Sequence, residues 1–141
     1  MSIHVILADH HPVVRAVLSA CVEGLAPEVE LAGAVADSDQ LLRLVRQRPA
    51  DVYLIDVSLP HSGGLLATEQ VLLLQPQAKI IVLSTHSSDV YVCRSLQAGA
   101  HGYLMKEYAV EELGEAVRQV AGGRLYVRAS PPAAQLVPAL A

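Results

Sequence analysis

The chain has 141 residues, of which 52% are hydrophobic and 17% charged, and its formal net charge at neutral pH is −4. This length suits one domain with a single core, and the apolar content excludes an intrinsically disordered chain. The sequence has no cluster of lysine and arginine, which argues against direct nucleic-acid binding by this segment.

The start of the chain and its cysteines predict a cytoplasmic location. Residues 2–4 lead directly into an apolar strand, without the basic start and long apolar stretch of a signal peptide. No apolar run is long enough to span a membrane. Cys21 and Cys93 fall on apolar stripes of predicted helices without metal-type spacing, so we expect free thiols in a reduced compartment.

Apolar runs rich in β-branched residues alternate along the chain with stripes of helical period. The predicted strands cover residues 3–8, 29–35, 52–56, 79–84 and 102–105. Predicted helices begin near residues 12, 38, 65 and 89, and a fifth, carrying Val110, Leu113, Val117 and Val120, follows the last strand. Each helix is followed within a few residues by glycine or proline, as expected at helix ends.

Five strands that alternate with five helices imply an α/β fold, with a parallel sheet covered by helices on both faces. Right-handed crossovers then give a doubly wound, flavodoxin-like domain with the strand order 2-1-3-4-5. We expect this domain to occupy residues 1–123. Residues 124–141 are rich in proline and alanine without a clear period, which predicts a linker or tail and no DNA-binding domain.

Polar residues follow four of the five predicted strands. Asp9 follows the first strand, Asp56 ends the third, Ser84 ends the fourth and Lys106 follows the fifth. In open parallel sheets, ligands bind outside the carboxyl ends of the strands, at the point where the strand order reverses. Two carboxylates, a hydroxyl and an ammonium group suit the binding or acceptance of a phosphoryl group. A divalent cation would offset the repulsion between the acids and the phosphoryl oxygens.

Four sequence blocks together resemble the receiver domain of bacterial response regulators, in the NarL/FixJ (LuxR-type) class with its CheY-like fold. They are residues 6–15, residues 51–60 with the glycines at 63 and 64, residues 82–86, and residues 98–106. The resemblance covers residues 3 to about 121. It implies that Asp56 is the phosphoacceptor and also a ligand of Mg²⁺, that Asp9 belongs to an acid pair that binds this ion, and that the backbone carbonyl of Ser58 also contacts the metal.

The resemblance assigns three further roles in the phosphorylation switch. Ser84 would be the switch hydroxyl, Lys106 the phosphoryl-contacting lysine, and Tyr103 the aromatic residue that changes rotamer on activation. The implied partners are a sensor histidine kinase, which donates the phosphoryl group, and a second copy of the chain in a homodimer. DNA would be contacted only through a separate output domain, and the domain would not be an enzyme beyond its own phosphorylation and dephosphorylation.

His10 departs from the family pattern. It stands where the second acid of the metal-binding pair is expected, and an imidazole is a poor ligand for Mg²⁺, which prefers oxygen. This substitution predicts weak Mg²⁺ binding with an atypical His10 ligand, a preference for Mn²⁺ or another transition metal, or little phosphorylation.

Two other functions compete with the phosphorylation-controlled regulator. One is a degenerate receiver that acts as a phosphorylation-independent interaction module, which His10 favours and the retained Asp56, Ser84 and Lys106 disfavour. The other is a flavodoxin-type cofactor carrier. That reading is the weakest, because the segment after the first strand is acidic where a cofactor phosphate would lie.

Overall fold

The computed structural model describes residues 2–86 and 88–129. In chain order, the elements are β1 (Ile3–Ala8), α1 (Pro12–Glu23), β2 (Val29–Val35), α2 (Ser38–Gln47), β3 (Val52–Asp56), α3 (Gly64–Leu74), β4 (Lys79–Ser84), α4 (Asp89–Gln97), β5 (Gly102–Met105), α5 (Lys106–Ala121) and β6 (Tyr126–Arg128). None of the described helices is both long and apolar enough to cross a lipid bilayer.

The strands form one parallel sheet in the order β2-β1-β3-β4-β5-β6. The predicted α/β fold and the order of the first five strands are therefore confirmed. All five residues of β3, in the middle of the sheet, are buried, which explains why its sequence reads as a continuous apolar run instead of an alternation.

Alternate residues of each strand supply two cores, one on each face of the sheet. On one face, Ile6 and Ala8 of β1 pack with residues of α2, α3 and α4. On the other face, Val5 and Leu7 pack with residues of α1 and α5. Helices thus cover both faces, as in a doubly wound domain, and the carboxyl ends of the strands meet at one edge.

The sheet formed by the described residues has six strands, one more than the sequence predicted. β6 lies in the segment that was expected to be a linker or tail, and it pairs with β5 from Gly102↔Tyr126 to Leu104↔Arg128. Arg128 holds it in place through a 2.8 Å Nε–Oε2 contact with Glu112 and through its position over the Tyr108 ring. A three-residue strand is too short to give a recognisable period, which is why the sequence did not predict it. Residues 130–141 of the predicted tail lie outside the described residues.

Candidate functional site

The pairing of β1 with β3 brings the two predicted acids together. Ala8 lies opposite Ile55, so the next residues, Asp9 and Asp56, leave the sheet side by side. Both residues are fully buried. Two buried carboxylates repel each other and lose hydration, so this arrangement requires cations or hydrogen-bond donors around it.

Lys106 supplies the cation. It is the first residue of α5, directly after β5, and its side chain is only 11% exposed. Its Nζ lies 2.9 Å from Asp9 Oδ2 and 3.3 Å from Asp56 Oδ1. The ammonium group therefore bridges the two acids and offsets part of their mutual repulsion.

Both oxygens of Asp56 accept hydrogen bonds. Oδ1 accepts from the backbone N–H and the hydroxyl of Ser58, each at 3.0 Å. Oδ2 lies 2.7 Å from Nδ1 of His10. An ionised carboxylate can only accept, so Nδ1 of His10 carries the proton in this contact.

These contacts keep Asp56 ionised. Burial by itself raises the pKa of the Asp56 carboxyl. The Ser58 N–H, the Lys106 charge and the hydrogen bonds from His10 and from the Ser58 hydroxyl lower it, and together they hold the pKa below its ordinary value. The carboxylate is therefore available as a nucleophile or as a metal ligand at neutral pH.

The carboxylate of Asp9 accepts fewer hydrogen bonds than that of Asp56. Its Oδ1 accepts from the His11 N–H at 2.9 Å, and its backbone carbonyl accepts from Arg15 Nη1 at 2.8 Å. Its Oδ2 is buried and lies 2.9 Å from the Lys106 ammonium, but it receives no hydrogen bond from the described residues. Such an unsatisfied buried acceptor is the group that a bound cation would complete.

The donor atoms around this oxygen suit a divalent cation. One donor atom each from Asp9, His10 and Asp56 lie within 4.8 Å of one another. Two carboxylates and an imidazole nitrogen form a mixed oxygen and nitrogen set, however, which differs from the all-oxygen set that Mg²⁺ prefers.

Ser84 ends β4, and Tyr103 lies within the neighbouring strand β5. Ser84 lies opposite Met105, at the same edge of the sheet, and is buried. Its Oγ accepts from the His86 N–H at 2.9 Å, and the Tyr103 hydroxyl donates to the His86 carbonyl at 2.5 Å. Tyr103 is itself fully buried. Its burial raises the pKa of the phenol, and the hydrogen bond with Ser84 lowers it by less, so that the pKa stays above its ordinary value. The loop after β4 is thus tied to both side chains.

Gly64 allows the loop after Asp56 to close tightly. A Cβ on this residue would lie 2.2 Å from the Asp56 carbonyl oxygen and 2.6 Å from the Val57 Cα, so only glycine fits. The Gly64 N–H also donates to the Val57 carbonyl at 2.9 Å. The start of α3 therefore fixes the backbone that carries Asp56.

The structure brings most of the predicted site residues into one cluster, which contains Asp9, His10, Asp56 and Lys106. Ser84 lies at the same edge of the sheet, and both Ser84 and Tyr103 contact the His86 backbone. Ser58 approaches Asp56 with its N–H and hydroxyl, whereas the predicted role of its carbonyl toward a metal stays a prediction.

Sequence reasoning gave Arg15 no role. Its side chain lies in the first turn of α1 and reaches back to the Asp9 carbonyl. The signal was available, since long side chains on a helix point toward its amino terminus.

The chain matches the model of the response regulator receiver domain over residues 5–118 and belongs to that family. It is 38% identical to the response regulator GacA of Pseudomonas aeruginosa, over 94% of this chain and 61% of that protein. It is 34% identical to the response regulator UvrY of Escherichia coli strain K12, over 89% of this chain and 57% of that protein. The chain therefore spans about three fifths of the length of these relatives.

A solved structure of similar extent agrees with this assignment. The two-component response regulator of the LuxR family from Aurantimonas sp. SI85-9A1 superposes with a TM-score of 0.88, at 28% identity, over 99% of this chain and 97% of that chain. The resemblance to receiver domains of LuxR/NarL-type regulators is thereby confirmed.

Proposed function

We propose that Asp56 accepts a phosphoryl group from the phosphohistidine of a sensor histidine kinase and that this controls a transcription-regulating output. The observation that carries the proposal is the Asp56 carboxylate, which is buried, held ionised and contacted by Lys106 at the carboxyl edge of the sheet. Membership of the receiver family supports the same chemistry.

In the proposed transfer, an Asp56 oxygen attacks the phosphorus of the phosphohistidine. A P–O bond forms and the P–N bond breaks, its electron pair stays on the imidazole nitrogen, and that nitrogen takes up a proton. Lys106 would stabilise negative charge on the phosphoryl oxygens. A divalent cation, held by Asp9, Asp56 and the Ser58 carbonyl, would supply further charge stabilisation. The domain would turn over no substrate besides its own phosphoryl group.

The loop after β4 offers a route from the site to the output. An Asp56 phosphoryl group would attract the Ser84 hydroxyl, which now accepts from the His86 N–H. The Tyr103 hydroxyl donates a hydrogen bond to the carbonyl of His86, so a shift of this loop would also move Tyr103. Val127 of β6 pairs with Tyr103, so a movement of Tyr103 would also reach β6. We propose that the surface formed by α4, β5 and α5, together with β6, transmits this conformational change to a dimer mate and to a separate DNA-binding domain.

A second function is favoured by the His10 contact. The Asp56 oxygen that His10 covers is one of the two that could attack a phosphoryl group. A receiver in which this contact persists would work as a phosphorylation-independent interaction module, controlled by its partners alone.

Mass spectrometry of the intact protein after incubation with acetyl phosphate separates these functions. Mg²⁺ and Mn²⁺ are supplied in parallel, and Asp56→Asn is compared with Asp51→Asn, which changes an exposed acid at the opposite end of β3. The proposal predicts one added phosphoryl group in the wild type and in Asp51→Asn, and none in Asp56→Asn. A folded wild-type protein that gains no phosphoryl group with either metal would support the interaction module instead.

A further inference from the structure

We infer that the cation site of this domain selects transition-metal ions over Mg²⁺, because His10 supplies an imidazole nitrogen as a direct ligand. The inference rests on the proposed function only in that both use Asp9 and Asp56. It concerns which ion binds, and ion binding can be measured without phosphorylation.

The position of the His10 ring is the first argument. Its Nδ1 lies 2.7 Å from Asp56 Oδ2, and the ring is about one third exposed. Ligand atoms in neighbouring positions of a six-coordinate ion, at about 2.1 Å from the metal, are separated by about 3 Å. The ring therefore already lies where a second ligand beside Asp56 belongs. Coordination through Nδ1 would use the neutral tautomer that carries its proton on Nε2, and the Nδ1–Oδ2 hydrogen bond would give way to bonds from both atoms to the ion.

The charge of the cluster is the second argument. Asp9 and Asp56 contribute two negative charges, and the Lys106 ammonium, within 3.3 Å of both, removes one of them. A carboxylate in place of His10 would restore a negative charge, but a neutral imidazole does not. Mg²⁺ is bound chiefly through charged and neutral oxygen ligands, so it loses attraction at this site. Mn²⁺, Co²⁺ and Zn²⁺ accept an imidazole nitrogen readily and compensate for that loss.

The unsatisfied oxygen of Asp9 is the third argument. Oδ2 is buried and receives no hydrogen bond from the described residues, and Asp9 belongs to the same donor group as His10 and Asp56. A divalent cation bound here would coordinate an acceptor whose neighbour in the described residues is the Lys106 ammonium and which receives no hydrogen bond, and this favours binding of some divalent ion even though Mg²⁺ fits poorly.

A second group of the same residue types provides an internal control. Asp37, Asp39 and His61 also bring donor atoms together, but His61 and Asp39 are exposed, and the imidazole nitrogens lie 3.6–3.7 Å from the carboxylates. Water competes effectively for exposed ligands of this kind, so we expect no selective binding there. Substituting His61 should leave the metal preference of the domain unchanged.

The test is a set of metal titrations on the wild type, His10→Asp, His10→Asn and His61→Asp. Dissociation constants for Mg²⁺, Mn²⁺ and Co²⁺ are measured by calorimetry, and circular dichroism verifies that each variant is folded. The wild type should bind Co²⁺ more tightly than Mg²⁺ by at least about 100-fold. His10→Asp should reduce this ratio by at least about tenfold, chiefly by tightening Mg²⁺, and His61→Asp should not change it. A ratio that is the same in the wild type and both His10 variants would overturn the inference.

Coordination by the imidazole can also be measured directly on the wild type, so that the result does not depend on the folding of a variant. Pulsed electron paramagnetic resonance of Mn²⁺ or Cu²⁺ bound to the wild type should show modulation from a directly coordinated imidazole ¹⁴N, and its absence would overturn the inference. The acetyl phosphate experiment separates the two proposals. Coordinated nitrogen without phosphorylation would contradict only the proposed function, whereas phosphorylation without coordinated nitrogen would contradict only the metal selectivity.

Discussion

The two ends of β1 and β3 carry the same kinds of side chain in different surroundings. At the amino end, His4 lies 3.1 Å from Glu30 and 3.5 Å from Asp51, and all three side chains are about half exposed. At the carboxyl end, His10 lies 2.7 Å from Asp56, whose side chain is 1% exposed. One end is a solvated group of surface charges, and the other is an enclosed cluster.

This comparison shows that residue type alone does not make a site. Exposed ion pairs are screened by water and contribute little. At the carboxyl end, burial strengthens each electrostatic interaction, and the ends of β4 and β5 add Ser84 and Lys106 to the acids of β1 and β3. Parallel strands bring residues together at both edges of the sheet, but the connections to the helices leave a ligand-binding crevice outside the carboxyl ends.

The largest stability effect should come from Lys106→Met. It removes the cation that bridges Asp9 and Asp56 and leaves two buried carboxylates, so the free energy of unfolding should fall by about 3 kcal/mol, as measured in urea without metal. Saturating Mn²⁺ should recover part of the loss, because the ion would replace the missing charge. An unchanged unfolding midpoint would show that the two acids do not depend on this lysine.

The next largest loss of stability should come from an alanine substitution of Gly64, near the carboxyl end of the sheet, and a glycine at the amino end provides the comparison. In Gly64→Ala, the new Cβ would meet the Asp56 carbonyl oxygen at 2.2 Å, so backbone must move, at a cost of about 2–3 kcal/mol. In Gly102→Ala, at the amino end of β5, the nearest atoms lie at 3.0–3.1 Å, and the cost should be clearly smaller. Thermal unfolding of both variants measures the difference, and a reversed order would refute the proposed close packing of Gly64 on the Asp56 loop.

The pH dependence of stability should differ between the wild type and Asp56→Asn. The folded protein holds the Asp56 pKa below its ordinary value of 3.8. Asp56 therefore adds stability that is fully present above that ordinary value and is lost as pH falls through the lower folded pKa. Urea unfolding from pH 6 downward should show an additional loss below about pH 4 in the wild type that Asp56→Asn lacks. Parallel curves would mean that the folded environment does not favour the ionised form.

The smallest effect should come from His4→Asn at the amino end. Its contacts with Glu30 and Asp51 are exposed, so the free energy of unfolding should change by less than about 1 kcal/mol. High salt should reduce the change further, because exposed charges are screened. A loss comparable to that of Lys106→Met in the same urea assay would remove the distinction between the two ends.

The sequence predicted the fold because its signals were local and mutually consistent. The fully buried β3 and the helical stripes each have a recognisable period, and glycine or proline marks the boundaries. β6 was not predicted, since three residues carry no period and its position depends on Arg128 reaching Glu112 on another element.

The sequence was sufficient to predict which residues form the site, but not which atoms of these residues are in contact. The strand order was sufficient to place Asp9, Asp56 and Lys106 at one edge. The contact of His10 with Asp56, the unsatisfied Asp9 oxygen and the bond from Tyr103 to His86 depend on side-chain directions that no sequence pattern specifies.

The most direct test of the account is a titration with beryllofluoride, an analogue of the phosphoryl group, followed by amide NMR in the presence of saturating Mg²⁺ or Zn²⁺, both of which are diamagnetic. We predict that amide shifts concentrate at the carboxyl end, around Asp56, Ser84, Tyr103 and Lys106, that His4 and Asp51 at the amino end stay unchanged, and that Asp56→Asn shows no shifts. Shifts that persist in Asp56→Asn, or that spread equally over both ends of the sheet, would contradict the assignment of Asp56 as the phosphoacceptor.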